Sequence, residues 1–268
     1  MDYYIFNEDC KITMQRMVDN EQLWGGVDTI LTSPPYNMTK RPGGYADKQK
    51  RYDVYQDWKT EDEYIGWIVE IFNMFDEILK KNGNILFNLS YSIENPMLPY
   101  KVVSNIHQKT PFTVVDTIVW KKNNCILFPA NKNRLCRICE FIFVICRKDE
   151  ANTFVTNRKV TRIGTNGQSY YEPSMNFIEA RNNDGACKLN KATYSSELCE
   201  KLLNVYTPQG SVVYDPFNGT GTTGVACVRN KMGKYIGSEI SKEQCDYSNI
   251  RLQNAINEMY DEHQLSFA

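Results

Sequence analysis

The stretch Val212-Val213-Tyr214-Asp215-Pro216-Phe217-Asn218-Gly219-Thr220-Gly221-Thr222-Thr223-Gly224 decides the fold. A short apolar strand leads into a turn with the pattern G-x-G-x-x-G, and the pattern continues as a helix. Glycine permits a tight turn and lets a ligand approach the backbone without a clashing side chain. The next apolar strand ends at Glu239, where a carboxylate can accept hydrogen bonds from ribose hydroxyls. These features predict a cofactor site that contains a nucleoside.

The glycine turn by itself fits NAD, FAD or S-adenosylmethionine, and it also fits a plain connection between a strand and a helix. Little sequence follows Glu239, whereas a dinucleotide fold needs further strand–helix units after its glycine turn. The remaining strands of the sheet must therefore come from the N-terminal part of the chain. This order favours S-adenosylmethionine, because no second half-motif for a dinucleotide is found.

Short apolar runs alternate with amphipathic segments, which predicts an α/β fold with a mostly parallel sheet and helices on both faces. The predicted strands are 3–6, 27–32, 84–89, 112–120, 140–147, 211–214 and 234–238. The predicted helices are 10–19, 61–80, 96–107, 195–206, 221–230 and 241–257. Residues 38–58 and 150–192 lack a clear period, so we expect a long loop and an insert that lies on the sheet. Residues 259–268 are expected to form a loose tail.

Composition narrows the class of protein. The chain has 268 residues, a net charge of −1 and nine cysteines, and no apolar run is long enough to span a bilayer. We therefore expect an intracellular, cytoplasmic protein with reduced thiols and no membrane contact. Cys136 and Cys139 have a zinc-like spacing, but no second pair accompanies them, so no metal site is predicted. Residues 121–162 hold ten Lys/Arg and three Asp/Glu, which fits either a phosphate-binding surface or an ordinary solvated face.

A second motif, Ser33-Pro34-Pro35-Tyr36, follows the apolar strand 27–32. Its prolines stiffen the turn and remove two backbone donors. An exocyclic base amine is a poor nucleophile, because its lone pair is delocalised into the ring. Ser33 Oγ and the Pro34 carbonyl offer two acceptors that can draw that nitrogen toward tetrahedral geometry, and Tyr36 can stack on a base lifted out of a duplex. The alternative is a proline-stiffened strand end with no chemistry.

Together the two motifs resemble the amino-methyltransferases of DNA, the family with an [Asp/Asn/Ser]-Pro-Pro-[Tyr/Phe] signature. The order, catalytic turn first and cofactor turn last, is similar to its permuted β class. The resemblance implies a Rossmann-like methyltransferase fold with S-adenosylmethionine as cofactor and double-stranded DNA as partner. It implies a catalytic part at 1–149, a target-recognition insert at 150–192 and a cofactor-binding part at 193–268.

The implied site residues fall into three groups. The catalytic residues are Ser33, Pro34, Pro35 and Tyr36. The cofactor-binding residues are Asp9, Cys10, Thr32, Asp215, Pro216, Phe217, Asn218, Gly219, Thr220, Gly221, Thr222 and Glu239. The expected DNA contacts are Lys121, Lys122, Arg158 and Lys159.

Several alternatives stay open at this point. Asp9 and Glu239 also suit the caps of the helices that follow them, and Asn88 suits either a polar wall or a loop cap. A methyltransferase of RNA or protein amines, or a nucleotide-binding module without catalysis, fits the same motifs. Serine before Pro-Pro favours N4 of cytosine over N6 of adenine within the family. A homodimer and a cognate restriction endonuclease are further expectations.

Overall fold

The structure is a computed structural model that describes residues 1–37, 59–91, 95–125, 127, 132–185, 189–190 and 193–265. The loop predicted at 38–58 lies outside these residues. The helices are α1 Cys10–Asp19, α2 Glu21–Trp24, α3 Glu61–Ile78, α4 Leu98–Lys109, α5 Ser196–Tyr206, α6 Thr222–Arg229 and α7 Lys242–Leu265. The strands are β1 Asp2–Phe6, β2 Val27–Thr32, β3 Leu79–Leu89, β4 Phe112–Lys122, β5 Cys139–Arg147, β6 Val160–Ile163, β7 Ser169–Tyr171, β8 Phe177–Ala180, β9 Val212–Asp215 and β10 Lys234–Ser238. A 3₁₀ turn, Lys148–Glu150, follows β5.

Eight strands form one sheet in the order β1-β10-β9-β2-β3-β5-β4-β8. The first five are parallel to one another, and β5 is antiparallel to both of its neighbours. The predicted α/β fold with a mostly parallel sheet is therefore confirmed. The glycine-turn strand β9 lies near the middle of the sheet although it comes late in the sequence, as expected from the motif order.

Helices cover both faces of this sheet, as the nearly continuous apolar strands predict. One apolar core joins the sheet to α1, α3 and α4, with Met14, Phe72 and Ile106 fully buried. The second core joins the other face to α5, α6 and α7 through side chains such as Leu202 and Leu252. The two cores hold the strand ends rigidly at the edge where the site is built.

Two sequence predictions about the fold were wrong. Residues 150–192 were expected to lie on the sheet, but β8 pairs with β4 in parallel and becomes the last strand of the sheet. The tail expected from 259 is helical to Leu265, because α7 continues past 257. Within 150–192, β6 and β7 also form a separate two-stranded antiparallel sheet.

The described residues contain neither a membrane-spanning helix nor a cluster of metal-ligating side chains. No helix there is both long and apolar enough to cross a bilayer. Across the same residues, no three His, Cys, Asp or Glu side chains come together as potential metal ligands.

Candidate active site

A cavity of about 230 Å³ opens at the carboxyl ends of neighbouring parallel strands. β2 ends before Ser33, β9 ends before Pro216 and β10 ends before Glu239, so three separate turns meet at one edge of the sheet. All four residues of the Ser-Pro-Pro-Tyr turn line this cavity. Of the expected cofactor residues, it is lined by Asp9, Cys10, Pro216, Phe217, Asn218, Gly219, Thr220, Thr222 and Glu239.

Three expected cofactor residues, Thr32, Asp215 and Gly221, do not line the cavity. Asp215 is buried, and Thr32 Oγ1 donates to its Oδ1 at 2.7 Å. Thr223 Oγ1 donates to Oδ2 at 2.6 Å, and the Phe217 amide donates to Oδ1 at 3.0 Å. Burial raises the pKa of Asp215, and these hydrogen bonds oppose that rise. The carboxylate therefore ties β2, β9 and the glycine turn together from behind the cavity wall.

A packing requirement accounts for glycine at position 221. Its φ is +80°, which favours glycine, and a Cβ there would collide with Ser248 Oγ on α7. Gly224 is enclosed in the same way, since its Cβ would lie 2.7 Å from Tyr235 Cε1 and 2.9 Å from Leu252. By contrast, Gly219 lies on the cavity wall with a φ of +52°. The two later glycines thus let α6 pack closely against α7 and β10.

The two carboxylates at strand ends each cap the chain that follows and also face the cavity. Asp9 Oδ1 accepts from the Lys11 amide at 2.9 Å, at the start of α1. Glu239 Oε1 accepts from the Ser241 amide at 2.9 Å, and its Oε2 accepts from the Gly219 amide at 2.8 Å. A carboxylate has about four lone-pair sites, so a capping carboxylate on the cavity wall can also accept from a ligand hydroxyl.

The Ser-Pro-Pro-Tyr turn is held from two sides. The Tyr64 hydroxyl of α3 donates to the Pro35 carbonyl at 2.8 Å. The Tyr36 hydroxyl donates toward Asn88 Oδ1 at 2.7 Å and Glu140 Oε2 at 3.0 Å, on β3 and β5. Asn88 is therefore buried beside the turn as a partner of Tyr36, and it is not among the residues that line the cavity.

Other side chains that line the cavity gave no sequence signal. Trp67 of α3 places its ring centroid 5.4 Å from that of Phe217. Asn190 Nδ2 donates to Gln244 Oε1 at 3.1 Å, and both side chains lie beside Gly219. Such residues reach the cavity only through the tertiary fold. The full set of additional lining residues is Glu8, Lys59, Trp67, Asn190, Thr193, Tyr194, Ser238, Ile240 and Gln244.

The four expected DNA contacts lie in two places, with Lys121 and Lys122 at the end of β4 and Arg158 and Lys159 before β6. Lys121 forms an ion pair with Glu179 of β8, and Lys122 forms one with Glu140. The Lys122 ammonium also lies 4.9 Å from the ring centroid of Trp120, which is buried as a core residue. In the structure Lys122 is thus paired with a partly buried carboxylate.

Arg158 and Lys159 are exposed just before β6. The Arg158 guanidinium lies 5.5 Å from the ring centroid of Tyr171, and Arg162 lies 4.3 Å from that of Tyr170. The β6–β7 hairpin therefore presents cations and aromatic rings together on the surface.

The fold and the site define a class of protein, an α/β methyltransferase. A family model for DNA methylases of the N6/N4 type matches residues 27–250. Because that match covers most of the chain, the protein belongs to the DNA methylase family. The cofactor of this chain is S-adenosylmethionine.

Relatives agree with this membership. The orphan methyltransferase M.BamHII of Bacillus amyloliquefaciens is 26% identical over 261 residues, which cover 86% of this chain and 90% of that protein. The Type II methyltransferase M.HinfI of Haemophilus influenzae is 27% identical over 262 residues, covering 93% of this chain and 68% of that protein.

Solved structures show the same fold at low identity. The PvuII DNA methyltransferase, described as cytosine-N4-specific, has a TM-score of 0.69 and 16% identity, over 97% of this chain and 92% of that one. The complex of M1.HpyAVI with SAM has a TM-score of 0.58 and 22% identity, over 93% and 99% of the two chains.

Proposed function

We propose that this chain methylates the exocyclic amine of a base flipped out of double-stranded DNA, and that the base is cytosine, methylated at N4. One observation carries the proposal: the Ser-Pro-Pro-Tyr turn and the glycine turn line a single cavity at the carboxyl edge of the sheet. A methyl donor at one turn and an amine at the other would then lie within reach of direct transfer.

The cofactor side of the cavity suits a nucleoside. The Glu239 carboxylate lines the cavity at the end of β10, where it can accept from ribose hydroxyls, and Gly219 brings the backbone to the cavity wall without a side chain. Phe217 and Ile240 offer apolar surface for a purine ring, and Asp9 offers an acceptor for its amine. When bound, S-adenosylmethionine supplies a methyl group on a positively charged sulfur, which departs as a neutral thioether.

The base side suits an amine. Ser33 Oγ and the Pro34 carbonyl each accept a hydrogen bond from the amine. The nitrogen lone pair then localises and forms the new N–C bond. The Tyr36 ring stacks on the base and favours the positive charge that the nitrogen carries during transfer. The methylated amine then releases one proton to solvent, because it is strongly acidic in its protonated form. Positioning and electrostatics provide most of the rate, and no strong base is required.

DNA would lie along the part of 150–192 that carries the β6–β7 hairpin. Arg158, Lys159 and Arg162 supply positive charge there, and Tyr170 and Tyr171 supply stacking surface. This region is our candidate for target recognition. A cognate endonuclease belongs to the same proposal, since relatives are named Type II methyltransferases. A homodimer is proposed by analogy with the family alone.

Two points support cytosine as the target. Ser33 is a neutral acceptor in the position where the adenine-directed members of the resembling family more often have aspartate. The PvuII enzyme, described as cytosine-N4-specific, shares the fold with a TM-score of 0.69.

Nucleoside mass spectrometry tests the choice of base. Duplex DNA is incubated with the purified chain and S-adenosylmethionine that carries an isotopically labelled methyl group, then digested to nucleosides. We expect labelled N4-methylcytosine. Labelled N6-methyladenine in its place would refute cytosine and leave the enzyme class intact.

A further inference from the structure

The Tyr36 hydroxyl lies at the centre of a group of polar side chains from three elements. Ser33 Oγ lies 3.1 Å from it, Asn88 Oδ1 lies 2.7 Å from it, and Glu140 Oε2 lies 3.0 Å from it. Asn88 is buried on β3, and the Glu140 side chain on β5 is 12% exposed. The hydroxyl is therefore held by groups that the sheet itself fixes.

The directions of these hydrogen bonds follow from their partners. The Phe141 carbonyl can only accept, so Asn88 Nδ2 donates to it at 3.0 Å and turns Oδ1 toward Tyr36. The Glu140 carboxylate also accepts. The Tyr36 hydroxyl has one proton, which it gives to this pair of acceptors. Its oxygen then accepts from Ser33, so the Ser33 proton points at Tyr36.

Lys122 holds the Glu140 carboxylate, which ends this series of hydrogen bonds. It forms an ion pair with Glu140, and the two side chains are 23% and 12% exposed. Glu140 pairs with Trp120 across β4 and β5, and the Lys122 ammonium lies 4.9 Å from the ring centroid of that Trp120. A mostly buried carboxylate held in this way polarises the hydroxyls bonded to it more strongly than a solvated one does.

We propose that Glu140, held by Lys122, acts through the Tyr36 hydroxyl to make Ser33 a one-way acceptor for the base amine; this rests on the proposed function. A free serine hydroxyl can either accept or donate a hydrogen bond. If Ser33 donated, the target amine would lack one of the two acceptors that it needs. The relay Glu140–Tyr36–Ser33 removes that freedom and leaves the lone pairs of Ser33 for the amine. An aspartate at position 33 would itself be an acceptor that cannot donate. Here the Glu140 carboxylate, two hydrogen bonds away, gives Ser33 the same property. Glu140 and Lys122 are positioning residues in this account, because neither touches the substrate.

Single-turnover methylation at saturating DNA and cofactor measures the relay. Glu140→Gln keeps the shape and removes the charge, and we expect the rate to fall roughly tenfold to a hundredfold, the range for a hydrogen bond to a charged group. The dissociation constant for S-adenosylmethionine should stay that of the parent. In a Tyr36→Phe background, Glu140→Gln should cause no further loss, because its route to Ser33 is already cut. A parental rate for Glu140→Gln, or a full further loss in the Tyr36→Phe background, would overturn the relay.

Two controls separate this effect from a folding defect. Glu200→Gln removes a partly exposed partner of Arg229, remote from Tyr36, and should keep the parental rate. Glu140→Gln combined with Lys122→Met leaves no unpaired charge and should show the same loss as Glu140→Gln alone. Recovery of the parental rate in that double variant would mean that a stranded lysine, rather than the lost relay, lowers the rate.

A second readout does not depend on methylation. The ¹³Cζ resonance of Tyr36, assigned by its disappearance in Tyr36→Phe, reports the hydrogen bonds of the hydroxyl. Ser33→Ala and Glu140→Gln should each shift it, because they lie at the two ends of the relay. If Ser33→Ala leaves the resonance in place, the relay is wrong. If the parent transfers no methyl to DNA, the proposed function fails, and this resonance still decides the relay.

Discussion

Arg251 of α7 should hold the cofactor turn in place, and its removal should weaken cofactor binding. Its Nη1 donates to the Thr220 carbonyl at 2.9 Å and lies 3.1 Å from Thr222 Oγ1, and both threonines line the cavity. Its Nη2 donates to Asp184 Oδ2 at 2.6 Å. Asp184 in turn accepts from the Ser196 amide at the start of α5 at 2.8 Å. One guanidinium therefore joins the glycine turn to α5 and to the end of the region 150–192.

The magnitude follows from the number of bonds lost. Nη1 has two hydrogens, so Arg251→Ala removes two charge-assisted bonds from the turn, each worth about 1.5–3 kcal/mol. The loss in affinity is smaller, because Gly219 keeps its bond to Glu239 and Gly221 keeps its bond to Asn218. The side chain is also 18% exposed, so water replaces part of the interaction. We expect about 1–2 kcal/mol, which is roughly a fivefold to thirtyfold weaker cofactor.

Titration calorimetry with S-adenosylmethionine measures this change, and thermal unfolding reports any loss of stability. Arg229→Ala is the matched control, since Arg229 pairs with Glu200 on the same side of the molecule and has no bond to the turn. Arg251→Lys should recover little, because one ammonium cannot reach both the turn and Asp184 in the guanidinium geometry. Parental affinity in Arg251→Ala would refute the reasoning.

Three further variants test other parts of the account. Glu239→Ala should weaken cofactor binding by roughly 1–3 kcal/mol in calorimetry, because it removes the acceptor for both the Gly219 amide and the ribose; unchanged affinity would exclude Glu239 from the site. Gly221→Ala should lower the melting temperature by an amount equivalent to about 1–3 kcal/mol, since the new Cβ collides with Ser248 and strains a positive φ; a parental melting curve would contradict the packing role. Charge reversal of Arg158 and Lys159 together should weaken DNA binding and flatten its salt dependence; a salt slope equal to that of the parent would move the interface elsewhere.

The elements nearest the site were predictable because their signals are local. The strand β9, the glycine turn and the acidic end of β10 follow one another within a short stretch, and each depends on its own residues. The Ser-Pro-Pro-Tyr turn is also local, since two prolines determine its backbone. Parallel packing then brings both turns to the same edge, as the alternation of strands and helices implies.

The network around Tyr36 was not predictable, because its members meet only in the folded sheet. Glu140 lies 104 positions after Tyr36, and its strand pattern looks apolar and buried. The ion pair between Lys122 and Glu140 was not predictable either, because charge along the sequence does not reveal a contact across two strands. Gly221 illustrates the same limit, since its glycine is required by Ser248 on a helix much later in the chain. Asn88 alone carried a hint, as a polar residue directly after the apolar run 85–87.

The most direct test of the central claim is methyl transfer to three acceptors, duplex DNA, RNA and protein, measured side by side with isotopically labelled S-adenosylmethionine. The parent and Tyr36→Ala are compared, after calorimetry has established that both bind the cofactor. The account predicts label on duplex DNA with the parent, little label on RNA or protein, and a large loss of transfer in Tyr36→Ala. Label on RNA or protein but not on DNA, or equal transfer by Tyr36→Ala, would contradict it.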